Sequence, residues 1–336
     1  MILTFKVKHH RDFSHELQLA RKVAKFALKT GSRSSKDVKH IGLKSMIANQ
    51  ILRKYSKDKK LKKVRNVVLT IPNQGIHVVK DNRQIRIPSL KLELEYQFPN
   101  NFKRINQIEI NKEFVFVSVT VDEPSTRKVD GYIGVDRNTT GHIAVAGNPS
   151  TGKVLKLGKQ AEHIHKKYKN IRRSLQKKGK YGMVKKIKNR ESNIVRDLNH
   201  KISRKIVDTA DREDVGIKLE AIEQIRKNVK SRRGFRYSLN SWSYYQLEQM
   251  IKYKAKLLGI PVSYVEPAYT SQNCSRCGHL GNRNGKQFKC PYCGHVDHAD
   301  SNASFNIALR HVKDGQLNVD RDAFKGSTDM PQEAML

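Results

Sequence analysis

The sequence predicts an α+β chain of two domains: an N-terminal antiparallel β-barrel or curled sheet with a helical insertion, then a mixed sheet flanked by helices. Three observations predict it. Short alternating segments cluster before residue 122, strands mix with long helices after residue 131, and the turn-rich linker DEPSTRKVDG, residues 122–131, separates the two textures. At 336 residues the chain is long enough for roughly two domains.

In chain order, residues 2–8, ILTFKVK, alternate as a strand does. HELQLARKVAKFALK has helical periodicity and stops at Gly31, and a second helical run spans about 38–55, so the helical insertion covers about 10–63. VVLTI, IHVVK, QIRIP, LKLELEY and FVFVSVTV, between 66 and 121, read as short strands with a hairpin at Asp81-Asn82. Residues 1–125 thus form the first domain. In the second, 126–310, YIGVD, HIAVAG and VLKLG are three consecutive strands, followed by long basic helices over about 160–210. DVGIKLE is a buried strand, a helix runs over about 242–258, PVSYVE is a further strand, and a last helix opens at Asp300. A three-strand meander followed by helix, strand, helix, strand and helix is the order of a ribonuclease H-like fold, with a mixed five-stranded sheet. Residues 311–336 lack a sustained apolar pattern and are expected to be a disordered tail.

Charge narrows the partners. With 67 Lys+Arg against 31 Asp+Glu, the formal charge is +36 and the pI about 10.1, which points to a polyanion, and nucleic acid fits best. A thermophile-like surface would raise Glu along with Lys, and here base exceeds acid more than twofold. No stretch approaches the ~18 apolar residues of a spanning helix. Lys6 and Lys8 interrupt the N-terminus where a signal peptide needs an apolar core, so a cytoplasmic protein with no membrane partner is expected. Residues 161–206 carry sixteen Lys/Arg and three Asp/Glu, a run suited to following phosphate. IRKNVKSRRGFRYSLNSWSYYQ interleaves cations with Phe235, Tyr237, Trp242, Tyr244 and Tyr245, a pattern suited to single strands. Trp242, Tyr245, Leu247 and Met250 equally fit the core face of the helix there.

All four cysteines, Cys274, Cys277, Cys290 and Cys293, lie in one segment, the ribbon at about 270–297, as C-x2-C, twelve residues, C-x2-C. Four thiolates in two knuckles suit a tetrahedral Zn2+ ion, which iron could replace; two disulfides do not suit a reducing compartment. A complete cysteine shell leaves no open position, so this ion is structural.

Among the acids, Asp136 ends the apolar run YIGV, Glu220 ends VGIKL, and Asp300 opens the last helix. Taken singly they read as a turn residue, a solvated glutamate and an N-cap. In a ribonuclease H-like sheet the three positions converge at one edge, where crowded carboxylates need cations. Two Mg2+ ions, or Mn2+, fit hard oxygen ligands and a phosphodiester substrate.

The stretch YVEPAYTSQNCSRCGHLGNRNGKQFKCPYCGHVDHADSNASFNIA resembles the C-terminal signature of the TnpB family, transposon-encoded RNA-guided DNA nucleases related to the type V CRISPR effectors and the Fanzor proteins. GVDRN at 134–138, GIKLEAI at 216–222 and DSNA at 300–303 resemble the three motifs of its RuvC nuclease domain. The resemblance covers about 130–310, and before that it extends only to architecture, a wedge-like barrel with a helical recognition insertion. It implies Asp136, Glu220 and Asp300 as catalytic metal ligands; Glu223 and Asp297 lie off the motif positions. Asn138 stands where many relatives have glycine. The expected function is RNA-guided, Mg-dependent DNA endonuclease activity leaving 5′-phosphate ends. A transposon-end-derived guide RNA and double-stranded target DNA with a short flanking motif are the implied partners. Ribbon residues Arg276, His279, Arg283 and Lys286 are candidates for substrate contact. Two other readings share the charge and cysteines: an RNA-guided repressor without cleavage, and an unguided DNA-binding transposition accessory protein. Intact acids separate the nuclease from the first, and a copurifying guide RNA from the second.

Overall fold

Alternation in ILTFKVK becomes β1, Ile2–Lys8, with exposure alternating residue by residue. The computed structural model describes residues 1–56, 61, 63, 64, 66–138, 141–221 and 244–310. Two compact units divide the chain, Met1–Glu123 and Pro124–Leu336. Among the described residues no helix is long and apolar enough to cross a membrane. The expected tail, 311–336, lies outside the described residues, as do Glu223 and most of the second basic run, Trp242 included.

In the first unit α1, Ser14–Thr30, ends at Gly31, whose φ of 71° is the left-handed C-cap glycine accepts readily. The second helical run is not continuous. A 3-10 turn over Ser35–Ile41 ends at Gly42, φ 82°, and α2 begins only at Ser45, running to Ser56. Five strands predicted from alternation form as β2, Leu69–Pro72; β3, His77–Val79; β4, Gln84–Ile87; β5, Leu92–Glu95; and, after the unpredicted β6, Phe102–Ile110, as β7, Phe114–Val121. The β3–β4 turn closes with Arg83 N donating to Lys80 O at 3.1 Å, which places Asp81-Asn82 at the hairpin tip. The strands make two antiparallel sheets, β1-β7-β6-β2 and β3-β4-β5. No ladder between them closes the expected barrel among the described residues, because β3 to β5 are only three or four residues long and pair with one another. Ile47, Ile51 and Leu52 of α2 are buried in the same core as Leu69, Ile71, Ile108 and Val117.

The second unit builds one mixed sheet. Its strands are β8, Tyr132–Arg137; β9, Ala144–Asn148; β10, Lys153–Leu157; β11, Gly216–Glu220; and β12, Val262–Val265. Their order is β10-β9-β8-β11-β12, antiparallel from β10 to β8 and parallel from β8 to β12. The helices are α3, Gln160–Lys177; α4, Tyr181–Arg212; α5, Tyr244–Leu257; and α6, Ala299–Leu309. Between β12 and α6 lies a small sheet of β13, Asn282–Asn284; β14, Gln287–Lys289; and β15, Val296–His298.

Alternation sorts the faces of the large sheet. Ile133, Val135, Ile217 and Leu219 enter a core with Ile206 of α4 and Leu247 and Ile251 of α5. Gly134, Asp136, Lys218 and Glu220 fall on the opposite face, toward α6. All of α6 is buried, so its polar side chains need partners inside the protein.

Candidate metal centres

Two glycines determine how near α6 comes to the sheet. Gly134 and Gly147 are opposite one another across β8 and β9. A Cβ on Gly134 would lie 2.0 Å from the Ser304 carbonyl oxygen and 2.4 Å from the Ala308 nitrogen; one on Gly147 would meet Ser304 Oγ at 2.4 Å. Only bare backbone admits the helix at this distance. From β11 below, Lys218 donates to the Ala308 and Arg310 carbonyls at 2.8 and 2.7 Å, capping the C-terminal end of α6, and burial pulls this lysine down to about 8.

The opposite end of α6 carries Asp300, which is fully buried, while Asp136 and Glu220 are each 9 % exposed. Burial pushes the Asp136 carboxyl up to about 7, and the negative charges of Glu220 and then Asp300 add to the effect. Asn138 donates to Asp136 Oδ2 at 2.8 Å, so the residue after Arg137 steadies the first carboxylate. Burial raises Glu220 as well, against hydrogen bonding from Thr270 Oγ1, 2.6 Å from Oε1, and the charge of Arg137. Arg137, fully buried, donates to the Glu220 carbonyl at 2.5 Å and to Glu248 Oε2 of α5 at 2.8 Å; Tyr264 holds the other oxygen of Glu248 at 2.7 Å. Asp300 receives Lys286 Nζ at 2.6 Å and Arg283 Nη2 at 3.3 Å. Arg283 and Lys286, expected as substrate contacts, are therefore turned inward onto a carboxylate. Asp297 sits three residues earlier on β15, with its Oδ1 accepting from His298 N at 2.6 Å and its carboxyl raised to about 6 by burial.

The three carboxylates are brought together electrostatically, yet they are spaced more widely than the cysteines. Among the described residues the cysteines are the group of ligand atoms all within 4.8 Å of one another. The sulfur separations are 3.7 Å for Cys274–Cys293 and 3.5 Å for Cys277–Cys290. They match the edge of a tetrahedron with Zn–S bonds of ~2.3 Å, about 3.8 Å. A disulfide at ~2.05 Å is excluded for these pairs. The donor set fits zinc, and the buried carboxylates, hard oxygens that repel one another, fit a divalent ion such as magnesium.

The two knuckles repeat as C-x2-C-G-H. In each, the first cysteine's amide donates at 2.8 Å to the histidine carbonyl, His279 or His295, and the glycine's amide, Gly278 or Gly294, returns to that cysteine's carbonyl. Tyr292 of the second knuckle stacks on His279 of the first, ring centroids 4.5 Å apart, and Arg276 is exposed. Amide side chains of α6 fasten the ribbon: Asn302 Oδ1 accepts from Ser275 N at 2.8 Å, and Asn302 and Asn306 each donate to Asn273 O at 2.7 Å. These contacts were not visible in the sequence, although the i, i+4 asparagines, Asn302 and Asn306, in a short helix were the available signal.

The basic run 161–206 forms α3 and most of α4, whose Val195, Leu198, Ile202 and Ile206 are buried while most of their lysines and arginines stay exposed. In α5, Leu247 and Met250 are buried as expected, whereas Tyr245 is 68 % exposed, on the face opposite the core.

Residues 244–307 match the model of the Cas12f1-like, TNB domain family. The CRISPR-associated endodeoxyribonuclease Cas12f1 of Sulfoacidibacillus thermotolerans is 35 % identical over 218 residues, 59 % of this chain; the chain spans 50 % of that relative's length. A TnpB-like protein of Methanocaldococcus jannaschii is 31 % identical over 237 residues, covering 68 % of this chain and 77 % of the relative. The fold is like that of a cryo-EM structure of a Cas12f1-sgRNA-target DNA complex, with a TM-score of 0.57 and 17 % identity over 88 % of this chain and 81 % of that one. With three-quarters of a relative covered at this identity, the chain belongs to the family of TnpB-like proteins.

Proposed function

We propose that the protein is an RNA-guided, divalent-metal-dependent DNA endonuclease of the TnpB type, with Asp136, Glu220 and Asp300 as its ion-holding carboxylates. The observation that carries the reading is that three buried acids, at the C-terminal ends of two adjacent parallel inner strands and in the first turn of a helix, lie near enough for Glu220 and Asp300 to raise the Asp136 carboxyl, in a sheet of ribonuclease H-like order. In this reading Pro124–Leu336 holds the RuvC-like domain, and Met1–Glu123 the wedge-like and recognition functions. Relatives named as endodeoxyribonucleases support DNA as substrate, and the complex of similar fold supports a guide RNA and target DNA as partners. Base pairing with the guide would select the sequence, and the protein would read backbone shape and a flanking motif.

When bound, a pair of divalent ions supplies an activated water and charge stabilisation of the leaving oxygen. The chain's own residues prepare the site. Thr270 orients the Glu220 carboxylate, Asn138 the Asp136 carboxylate, and the Gly134–Gly147 saddle seats the middle of α6 against the sheet. Water adds to phosphorus, the bond to the 3′ oxygen breaks, and the products carry 5′-phosphate and 3′-hydroxyl ends. The exposed lysines and arginines of α3 and α4 would follow the nucleic-acid backbone.

Expression with the native flanking DNA, followed by sequencing of the copurifying RNA, should give one discrete structured species ending in locus-flanking sequence. Loaded with that RNA, the wild-type protein should cut matched DNA, and Asp136→Ala should bind it with unchanged affinity and leave it intact. Normal cutting by Asp136→Ala would refute the site assignment, and bulk cellular RNA would refute the guided reading.

A further inference from the structure

Lys286 lies in the turn between β13 and β14 and grips the first turn of α6 twice. Its carbonyl accepts the Ala299 amide at 2.8 Å, and its ammonium donates to Asp300 Oδ2 at 2.6 Å. Arg283 takes Oδ1 at 3.3 Å. Both oxygens of a carboxylate with no solvent exposure are thus committed to cations supplied by the ribbon. The two cations are not equivalent. An ammonium on a four-carbon stem is a point charge that gives up a partner readily, whereas a guanidinium is a rigid fork. The Lys286 side chain is 41 % exposed, and it passes Gly141, where a Cβ would come within 3.8 Å of Lys286 Cε.

We propose that Lys286 is a positioning residue that competes with divalent ions for Asp300, holding the third carboxylate in place from the ribbon and releasing it to an ion by swinging into solvent. The inference rests on the reading of Asp136, Glu220 and Asp300 as ion ligands. The physical reason is that one carboxylate oxygen in a buried site cannot be shared at hydrogen-bond distance by an ammonium and a doubly charged cation without strong repulsion between them. The ion's gain on binding is therefore reduced by the lysine it displaces.

The test is Mn2+ binding, followed by electron paramagnetic resonance, to the zinc-loaded full chain freed of nucleic acid. Lys286→Gln removes the charge, Lys286→Met is a second neutral variant, and Lys286→Arg keeps the charge. The neutral variants should bind Mn2+ about threefold or more tightly than wild type, and the arginine variant should stay close to it. The thermal midpoint of the neutral variants should fall below wild type in the absence of Mn2+, and the gap should narrow at saturating Mn2+. Unchanged or weaker Mn2+ binding by both neutral variants overturns the inference, as does a midpoint gap that Mn2+ leaves constant, the mark of a merely structural lysine. Asp136→Ala separates the two levels: if it binds Mn2+ like wild type, the carboxylate site itself is not the ion site, whatever Lys286 does.

Discussion

Burial makes Asp136 hold its proton to a higher pH than an ordinary aspartate. Its pKa rises from 3.8 to about 7, so in the ion-free protein the folded state retains a proton that the unfolded chain releases near pH 4. The sign follows. The contribution of Asp136 is fully favourable below its unfolded pKa and is lost as pH rises from about 4 through about 7, a swing on the order of a few kcal/mol. Without divalent ions the thermal midpoint should fall between pH 5 and 8, and Asp136→Asn should flatten that fall. Ion binding displaces the same proton, so Mg2+ affinity should rise across this window and level off above about 7. Calorimetry at several pH values reads both. At this scale the sequence was legible where a residue's placement follows from its element: Asp136 and Glu220 lie in the last two positions of their strands and Asp300 in the first turn of its helix. It was opaque where the role depends on juxtaposition. Lys286 and Arg283 look like ordinary loop charge until the ribbon folds back on α6, and Arg137 looks like a surface cation until its fully buried guanidinium is found between Glu220 and Glu248.

Elements with a clean period could be read from the sequence, and the misses have local causes. β1 and α1 lie where alternation and the C-cap glycine put them. β6 carries no alternation signal because two register shifts, between Phe102 and Arg104 and between Ile105 and Gln107, set its buried residues at 102, 105, 108 and 110, a spacing closer to a helix than to a strand. The run from 38 to 55 keeps a helical apolar spacing throughout, since Gly42 and the 3-10 turn before it do not disturb that spacing. The least legible feature is the packing of α6 on β8 and β9, since a glycine's absent side chain leaves no pattern. Gly134→Ala should force the helix away from the sheet, cost about 3 kcal/mol or more, and abolish cleavage while nucleic-acid binding persists. Denaturant unfolding and a gel assay test the two halves separately. Wild-type stability in that variant would mean the helix is not seated as described.

Over the whole molecule the formal charge of +36 sets the terms of any encounter with nucleic acid. Binding of RNA should weaken by about 10³-fold or more between about 50 and 200 mM salt, a slope measurable by filter binding, because each neutralised phosphate releases counterions. A shallow slope would place affinity in base contacts instead. The charge was fully legible in the composition; which surfaces carry it was legible only for α3 and α4, where the cations run along uninterrupted helices. The glycine saddle has a consequence at the level of heredity. Every first- or second-base change in a glycine codon specifies a residue with a Cβ, or a stop, so no amino acid one such change away from Gly134 or Gly147 preserves the close approach of α6. Two positions that carry no reactive group are thereby as closed to gradual drift as residues that do, and a lineage can explore the rest of the sheet only while holding both of them still.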